Sequence, residues 1–255
     1  MSNVQRGFMS SQCITPAQKK LIRLTRKSKI LTFIANNHWA STRNLFKLLA
    51  INDYSYTLKL ANELVEDGKL VITKVVANGK QNNVYTITEW GAFVIGNEYK
   101  RYQVRFSYQS FIHNETVQSL QIIAIKKGFD WVNERSIIAT KSYKSLPDGL
   151  LVVVPNSHVI SIEYQRNRLN LQTLKSKIAK CLADIINKKF RSVLYVCSDN
   201  LNAELMQRAF DSVKFIKTKT DADIEFNDGY RAKFKCINLH EFGDYIATLS
   251  TKQEV

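Results

Sequence analysis

Acidic residues are scarce in this chain of 255 residues: 22 Asp and Glu stand against 37 Lys and Arg, a formal charge of +15. That imbalance favours a polyanionic partner, with an anionic membrane surface as the alternative. The nine glycines never fall in Walker or dinucleotide-binding spacing, and no Gly-x-Ser-x-Gly occurs. Nucleotide-driven and serine-hydrolase chemistry therefore lose their usual signatures. Cys13, Cys181, Cys197 and Cys236 include no Cys-x-x-Cys pair and no nearby histidine at zinc-ligand spacing. They are expected to be reduced, mostly buried thiols rather than a structural zinc site. The four histidines, His38, His113, His158 and His240, are equally scattered. No apolar run approaches the roughly 18 residues of a spanning helix. The first five residues also lack the form of a signal peptide. A cytoplasmic protein without membrane insertion is expected.

What is present is ordinary in bulk: 45% hydrophobic and 23% charged residues, enough for one good core or two modest ones. The charge is not evenly spread. Residues 1–105 carry 16 basic and 6 acidic side chains against 21 and 16 in residues 106–255, so most of the excess lies on the smaller part. After a polar leader over residues 1–14, Thr15-Pro16 caps a basic amphipathic helix, with an interruption expected near Ser28. Ser41-Thr42 caps a second helix through Leu45 and Leu49. A third runs from about Tyr54 to Glu66 and is ended by Gly68. Strands at Leu70 to Val76 and Val84 to Thr88 then flank Ala77 to Asn83, whose Asn78-Gly79 is a hairpin signal. Three helices followed by a hairpin with a basic, amide-rich tip resemble a winged helix-turn-helix over residues 15–105. In that arrangement Ser55, Tyr56, Thr57, Lys59 and Asn62 would face the major groove. Lys74, Lys80, Gln81, Asn82 and Asn83 would touch phosphate or the minor groove. A winged helix used for protein contacts is the competing interpretation.

Past the polar connection Glu98 to Arg105, helices and strands alternate, which suggests a mixed sheet with helices on both faces. A helix is expected from Asn114 to Lys126 and a longer one from Asn167 to Lys189. Further strands are expected at Ser192 to Cys197, Val213 to Ile216, Ile224 to Phe226 and Phe234 to Leu239, with a frayed tail. Between the two helices lie two apolar strands with an acid near the outer end of each, Asp148 and Glu163. A two-residue loop on Asn156-Ser157 would set Asp148 opposite Gln165 and Glu163 opposite Leu150, with all three polar side chains on one face. A three-residue loop would part the two acids. Both faces of this hairpin are apolar, so ionised acids inside it would cost roughly several kcal/mol without a cation or hydrogen bonds. Two carboxylates suit Mg²⁺ or Mn²⁺. Alternatively, Asp148 caps a Pro-Asp-Gly turn and Glu163 sits at an exposed strand end.

Pro147-Asp148 followed by Glu163-x-Gln165, with Glu134 upstream, is similar to the PD-(D/E)xK nuclease pattern with Gln165 in the usual Lys place. More narrowly, the order of winged helix, His113, Trp131-x-x-Glu134, Pro147-Asp148-Gly149, Ile162-Glu163 and Leu174-x-x-Lys177 resembles the MobC-type relaxases of mobilisable plasmids and the related replication-relaxation proteins. The likeness spans nearly the whole chain. It implies a mixed α/β protein in which residues 106–255 form a restriction-endonuclease-like α/β/α domain with a central mixed sheet. It further implies Asp148 and Glu163 as metal ligands, with Glu134 as a third carboxylate reaching the metal directly or through water. Because Gln165 departs from Lys, the basic role in catalysis falls to Lys177. Helical periodicity leaves Lys175 equally placed, and the family pattern favours Lys177. His113 would hold phosphate or cap the Asn114 helix. Arg166 and Arg168, directly after the second strand, would clamp phosphate. The histidine cluster of the tyrosine relaxases has no counterpart, although Tyr164 and the other tyrosines keep a covalent step open. The expectation is a relaxase that nicks one strand of duplex DNA at a transfer origin using Mg²⁺ or Mn²⁺, with accessory mobilisation or coupling proteins. Two alternatives remain: a non-catalytic regulator or replication initiator with a degenerate nuclease-like domain, and an endonuclease of restriction or transposition that cuts both strands.

Overall fold

Thr15 starts the first helix by accepting a hydrogen bond from the Gln18 N–H, while the Gln18 side chain bonds back to Thr15 and Pro16 occupies the first turn. The computed structural model describes residues 14–77, 79–99, 107–153, 158–217 and 223–251. The expected leader therefore falls almost wholly outside the described residues, as does most of the expected connection ending at Arg105. Helix α1 (Pro16–Asn37) runs unbroken through Ser28, where an interruption was expected. A lone serine costs a helix only about 0.5 kcal/mol, less than burial of Ile30, Leu31, Phe33 and Ile34 contributes.

The chain continues through β1 (Trp39–Ser41), α2 (Thr42–Leu49), α3 (Tyr54–Glu66), β2 (Leu70–Ala77), β3 (Lys80–Ile87) and α4 (Glu89–Val94). Ser41 caps α2, Asp53 caps α3 and Thr88 caps α4. The three strands form one antiparallel sheet in the order β1-β3-β2. Ala77 pairs with Lys80, so only two residues separate the paired strands, and Gly79 takes a positive φ of 66°. Gln81, Asn82 and Asn83 consequently lie in β3 opposite Val76, Val75 and Lys74, not on the broad tip anticipated from composition. Ile34, Leu45, Leu60 and Tyr85 centre the core of this half.

Helix α5 (Tyr108–Lys126) begins at a Ser107 cap, well before the expected Asn114. It serves two cores. Ile122 joins the N-terminal cluster, while Leu120 and Ala124 lie on the second sheet. A polar seam fixes α2 to it: Asn44 Nδ2 donates to the Glu115 carbonyl at 2.9 Å, and Lys47 Nζ donates to Ser119 Oγ at 2.8 Å.

Beyond α5 come β4 (Asp130–Asn133), α6 (Glu134–Thr140), β5 (Gly149–Val153), β6 (His158–Gln165), α7 (Leu171–Ile186), β7 (Ser192–Cys197) and α8 (Ala203–Asp211). They are followed by β8 (Phe215–Lys217), β9 (Asp223–Glu225), α9 (Asp228–Arg231), β10 (Phe234–Asn238) and α10 (Phe242–Thr251). The protein is mixed α/β, with a five-stranded mixed sheet in the order β10-β7-β6-β5-β4. The β6–β7 and β7–β10 pairs are parallel, and the other two are antiparallel. Helices α7 and α8 cover one face, with Leu174, Ile178 and Phe210 in the same cluster as Leu150 and Tyr195. Helices α5 and α10 cover the other, with Leu120, Phe242 and Ile246 clustering with Leu151, Ile162 and Val196. Two expectations are corrected. Strands β8 and β9 pair only with each other, outside the central sheet. Residues 242–251, where a frayed tail was expected, form α10, which seats Phe242 and Ile246 at 0% exposure.

The β5–β6 register decides the placement of the acids. Gly149 faces Ile162 and Val153 faces His158, two residues away from the pairing expected of an Asn156-Ser157 loop. Residues 154–157, where the loop was anticipated, lie outside the described residues. A shift of two preserves the alternation of faces that the expected register had, but the Asp148 carboxylate turns to His113 on α5, whereas Glu163 meets Lys177 on α7. Asp148, just before β5, is now brought to Glu163 rather than to Gln165.

Candidate functional site

Glu163 sits near the end of β6 on the face covered by α7, only 7% exposed. Its oxygen Oε2 accepts from Lys177 Nζ at 3.3 Å. Helical spacing puts Lys177 three residues after the buried Leu174, which aims it at the sheet. The alternative Lys175 has no such contact among the described residues. Burial, then the neighbouring Asp148 carboxylate, push Glu163 up to about 7 despite Lys177.

Asp148 is held through both carboxylate oxygens. Its backbone N–H donates to the Ile162 carbonyl, its Oδ2 accepts from the Tyr164 N–H at 2.7 Å, and its Oδ1 lies 2.9 Å from His113 Nε2. The side chain thus takes over a backbone donor where the β5 ladder ends. His113 is neither a cap nor on a loop. It lies within α5, and its imidazole titrates higher than usual because the Asp148 hydrogen bond and charge outweigh the opposing effect of burial. Its ring also stands 5.4 Å from that of Tyr164.

Glu134 opens α6, next to the β4 end at which Asn133 pairs with Gly149. Burial and then Asp148 raise its carboxyl above the usual range, with His113 opposing. Glu134 was expected as a third carboxylate reaching a metal directly or through water; among the described residues, no group of three His, Cys, Asp or Glu side chains is gathered closely enough to hold a metal ion. Asp148 stands between the other two acids, coupled to each. The donor chemistry of Asp148 and Glu163, two neighbouring carboxylates that repel each other electrostatically, fits a hard divalent cation.

Gln165 is turned elsewhere, its Nε2 donating to the Asn167 carbonyl at 2.7 Å and closing the turn after β6. Arg166 Nη1 reaches the Gln109 carbonyl at 3.1 Å, and Arg168 is exposed. On α3, Ser55, Lys59 and Asn62 form an exposed stripe at helical spacing. Thr57 does not belong to it: fully buried, with its hydroxyl donating to the Asp53 carbonyl at 3.4 Å, it faces the helical core. Tyr56 is half-buried beneath the Arg26 guanidinium, 5.5 Å from the ring centroid. Lys74 and Lys80 are exposed along the hairpin.

Sequence reasoning missed Asp184. This α7 carboxylate is 1% exposed and accepts from the Lys144 N–H, the Ser145 N–H and the Ser145 hydroxyl at 2.7–2.9 Å. It ties the segment leading into Asp148 to the helix that carries Lys177. An acid beside the apolar stripe Ile178, Cys181, Leu182 was the available signal. Gly149, expected only as part of the Pro147-Asp148-Gly149 motif, has a packing role: an added Cβ would lie 2.1 Å from the Trp131 ring, so only glycine lets the indole close over this strand end.

Comparison with known protein families, characterised proteins and solved structures yields no match.

Proposed function

We propose that this protein binds duplex DNA through α3 and the β2–β3 hairpin and cleaves one strand at the Asp148–Glu163 pair with Mg²⁺ or Mn²⁺. The observation that carries the reading is the acid pair itself: a buried glutamate held near a neutral-range pKa beside a second carboxylate, at the end of two central strands. Such juxtaposed charges are costly in a fold unless a cation is bound there during function. The order α1, β1, α2, α3, β2, β3 supports a winged helix, and the exposed Lys59, Lys74 and Lys80 support contacts with phosphate. The narrower assignment, a relaxase acting at a plasmid transfer origin, rests on the order of the sequence motifs.

A bound divalent ion would acidify a water and neutralise charge on the phosphodiester. The chain's own groups have separable tasks. His113 and the Tyr164 N–H orient the two Asp148 oxygens. Lys177 favours the ionised form of Glu163 and can donate to a phosphate or leaving-group oxygen.

A second reading, a DNA-binding regulator or initiator without cleavage, is favoured by one observation: both Asp148 oxygens already have protein partners. Nicking of supercoiled origin DNA with Mg²⁺ or Mn²⁺ separates the two. Wild type is expected to yield open circles and Asp148→Ala and Glu163→Ala to lose the activity. Equal nicking by all three proteins would overturn the site, and tight origin binding without any nicking would establish the second reading.

A further inference from the structure

Beside the acid pair lies a cavity of about 250 Å³ between the N-terminal half and the central sheet, lined among others by Asn37, Asn114, Trp131, Glu134 and Asp148. The indole of Trp131, which lines it, closes over Gly149. The half-buried carboxamide of Asn114, one residue after His113, has no hydrogen-bond partner among the described residues, and neither does the Glu134 carboxylate. Asn37 donates through Nδ2 to the Phe33 carbonyl at 2.9 Å, which leaves its Oδ1 as an acceptor. An aromatic platform with unused amide and carboxylate groups matches a nucleobase, because bases stack on rings and are read at their edges by amides and acids. A phosphate does not match. Asp148 and Glu134 would repel it, and of the cationic side chains Arg135 is engaged with the Ala35 carbonyl at 3.0 Å. The volume suits one planar heterocycle and not a base pair.

We propose that this cavity takes one unpaired nucleobase of the DNA strand, stacked on Trp131, with its exocyclic amino group read by Glu134 and its ring edge by Asn114. Resting on the DNA-cleavage reading, the inference gives Glu134 a specificity role in place of a ligand role. It also sets an extruded or single-stranded base next to Asp148, where the adjoining phosphodiester would meet the acid pair. Cytosine, adenine and guanine carry an exocyclic amino group, and thymine does not.

The test is binding by the full chain in a chelator, so that no cleavage occurs. Short fluorescent oligo-dC, oligo-dT and a base-free backbone of equal length are compared by anisotropy. Oligo-dC is expected to bind more tightly than oligo-dT, and both more tightly than the base-free strand. Trp131→Ala should weaken oligo-dC binding roughly 5- to 100-fold and Trp131→Phe should restore most of it. Asn114→Ala should lose about 5-fold, and Glu134→Gln should abolish the preference for dC over dT. Duplex affinity should be unchanged in all four. If Trp131→Ala does not fold, the Asn114→Ala and Glu134→Gln variants carry the test. Equal affinity for the base-free strand, or indifference to both of those substitutions, would overturn the pocket. Base-dependent binding without any metal-dependent nicking would refute the nuclease reading alone, and nicking without base dependence would refute the pocket alone.

Discussion

Replacing Glu163 with glutamine should make the protein more stable, and only at higher pH. Burial and Asp148 raise the folded-state carboxyl from its usual 4.5 to about 7. Between those values the folded chain keeps a proton that the unfolded chain has released, so stability falls as pH rises through the window and stays lower above it. At about 1.4 kcal/mol per pH unit, ionised Glu163 costs the fold about 3 kcal/mol by pH 8. The amide introduced by Glu163→Gln would keep the shape of the neutral acid at every pH, and Lys177, 38% exposed in its side chain, can return to water. Denaturant unfolding of Glu163→Gln and wild type at pH 4, 6 and 8 should therefore give curves that coincide at the lowest pH and diverge in favour of the variant at the highest. Adding Mn²⁺ at pH 8 should narrow the gap by stabilising wild type alone. A variant less stable than wild type at pH 8, or a gap independent of pH, would refute the argument that the glutamate is held against its own charge.

Four further outcomes follow from the same geometry. His113 has a raised folded-state pKa, so the stability it contributes is fully present below its unfolded value near 6.5 and is lost as pH climbs through the folded value. Unfolding of His113→Gln should show a larger deficit at pH 5.5 than at pH 8.5, and equal deficits would contradict the ion pair with Asp148. Gly149→Ala should lower stability by about 2 kcal/mol through overpacking against Trp131, visible as a lower Tm with the fold retained. Asp184→Ala should cost about 3 kcal/mol by orphaning the Lys144 and Ser145 N–H groups, and an unaltered denaturation midpoint would show that the anchor is idle. Lys59→Ala and Lys74→Ala should each reduce the slope of log affinity against log salt for duplex DNA by about 1. An unchanged slope would remove that residue from the interface.

Local signals located most of the elements. Thr15-Pro16 and Ser41-Thr42 marked helix starts because a capping side chain bonds within its own turn. The apolar run Ser192–Cys197 named β7 residue for residue, because a strand covered on both faces has few polar positions. The composition of the seven-residue stretch Ala77 to Asn83 misled in the opposite direction, since cross-strand pairing carried β2 and β3 nearly to Gly79 whatever the propensities of Gln81, Asn82 and Asn83. Helix α10 was illegible in isolation because what holds it is the burial of Phe242 and Ile246 against residues far away in the chain.

For the candidate site, the sequence by itself determined the chemistry available: acids at Asp148 and Glu163 on successive strands, a basic N-terminal half, and Lys177 on an amphipathic helix. Only the tertiary structure decided which of these meet. Long-range packing of α5 brought His113 to Asp148, the two-residue change in register set Asp148 beside Glu163, and α7 put Lys177 rather than Lys175 on the acid. The same packing buried Thr57 away from the exposed face of α3. The physical reason is that residue identity and spacing fix a side chain's function and its face on an element. Distance between elements is set by cores that no local pattern contains.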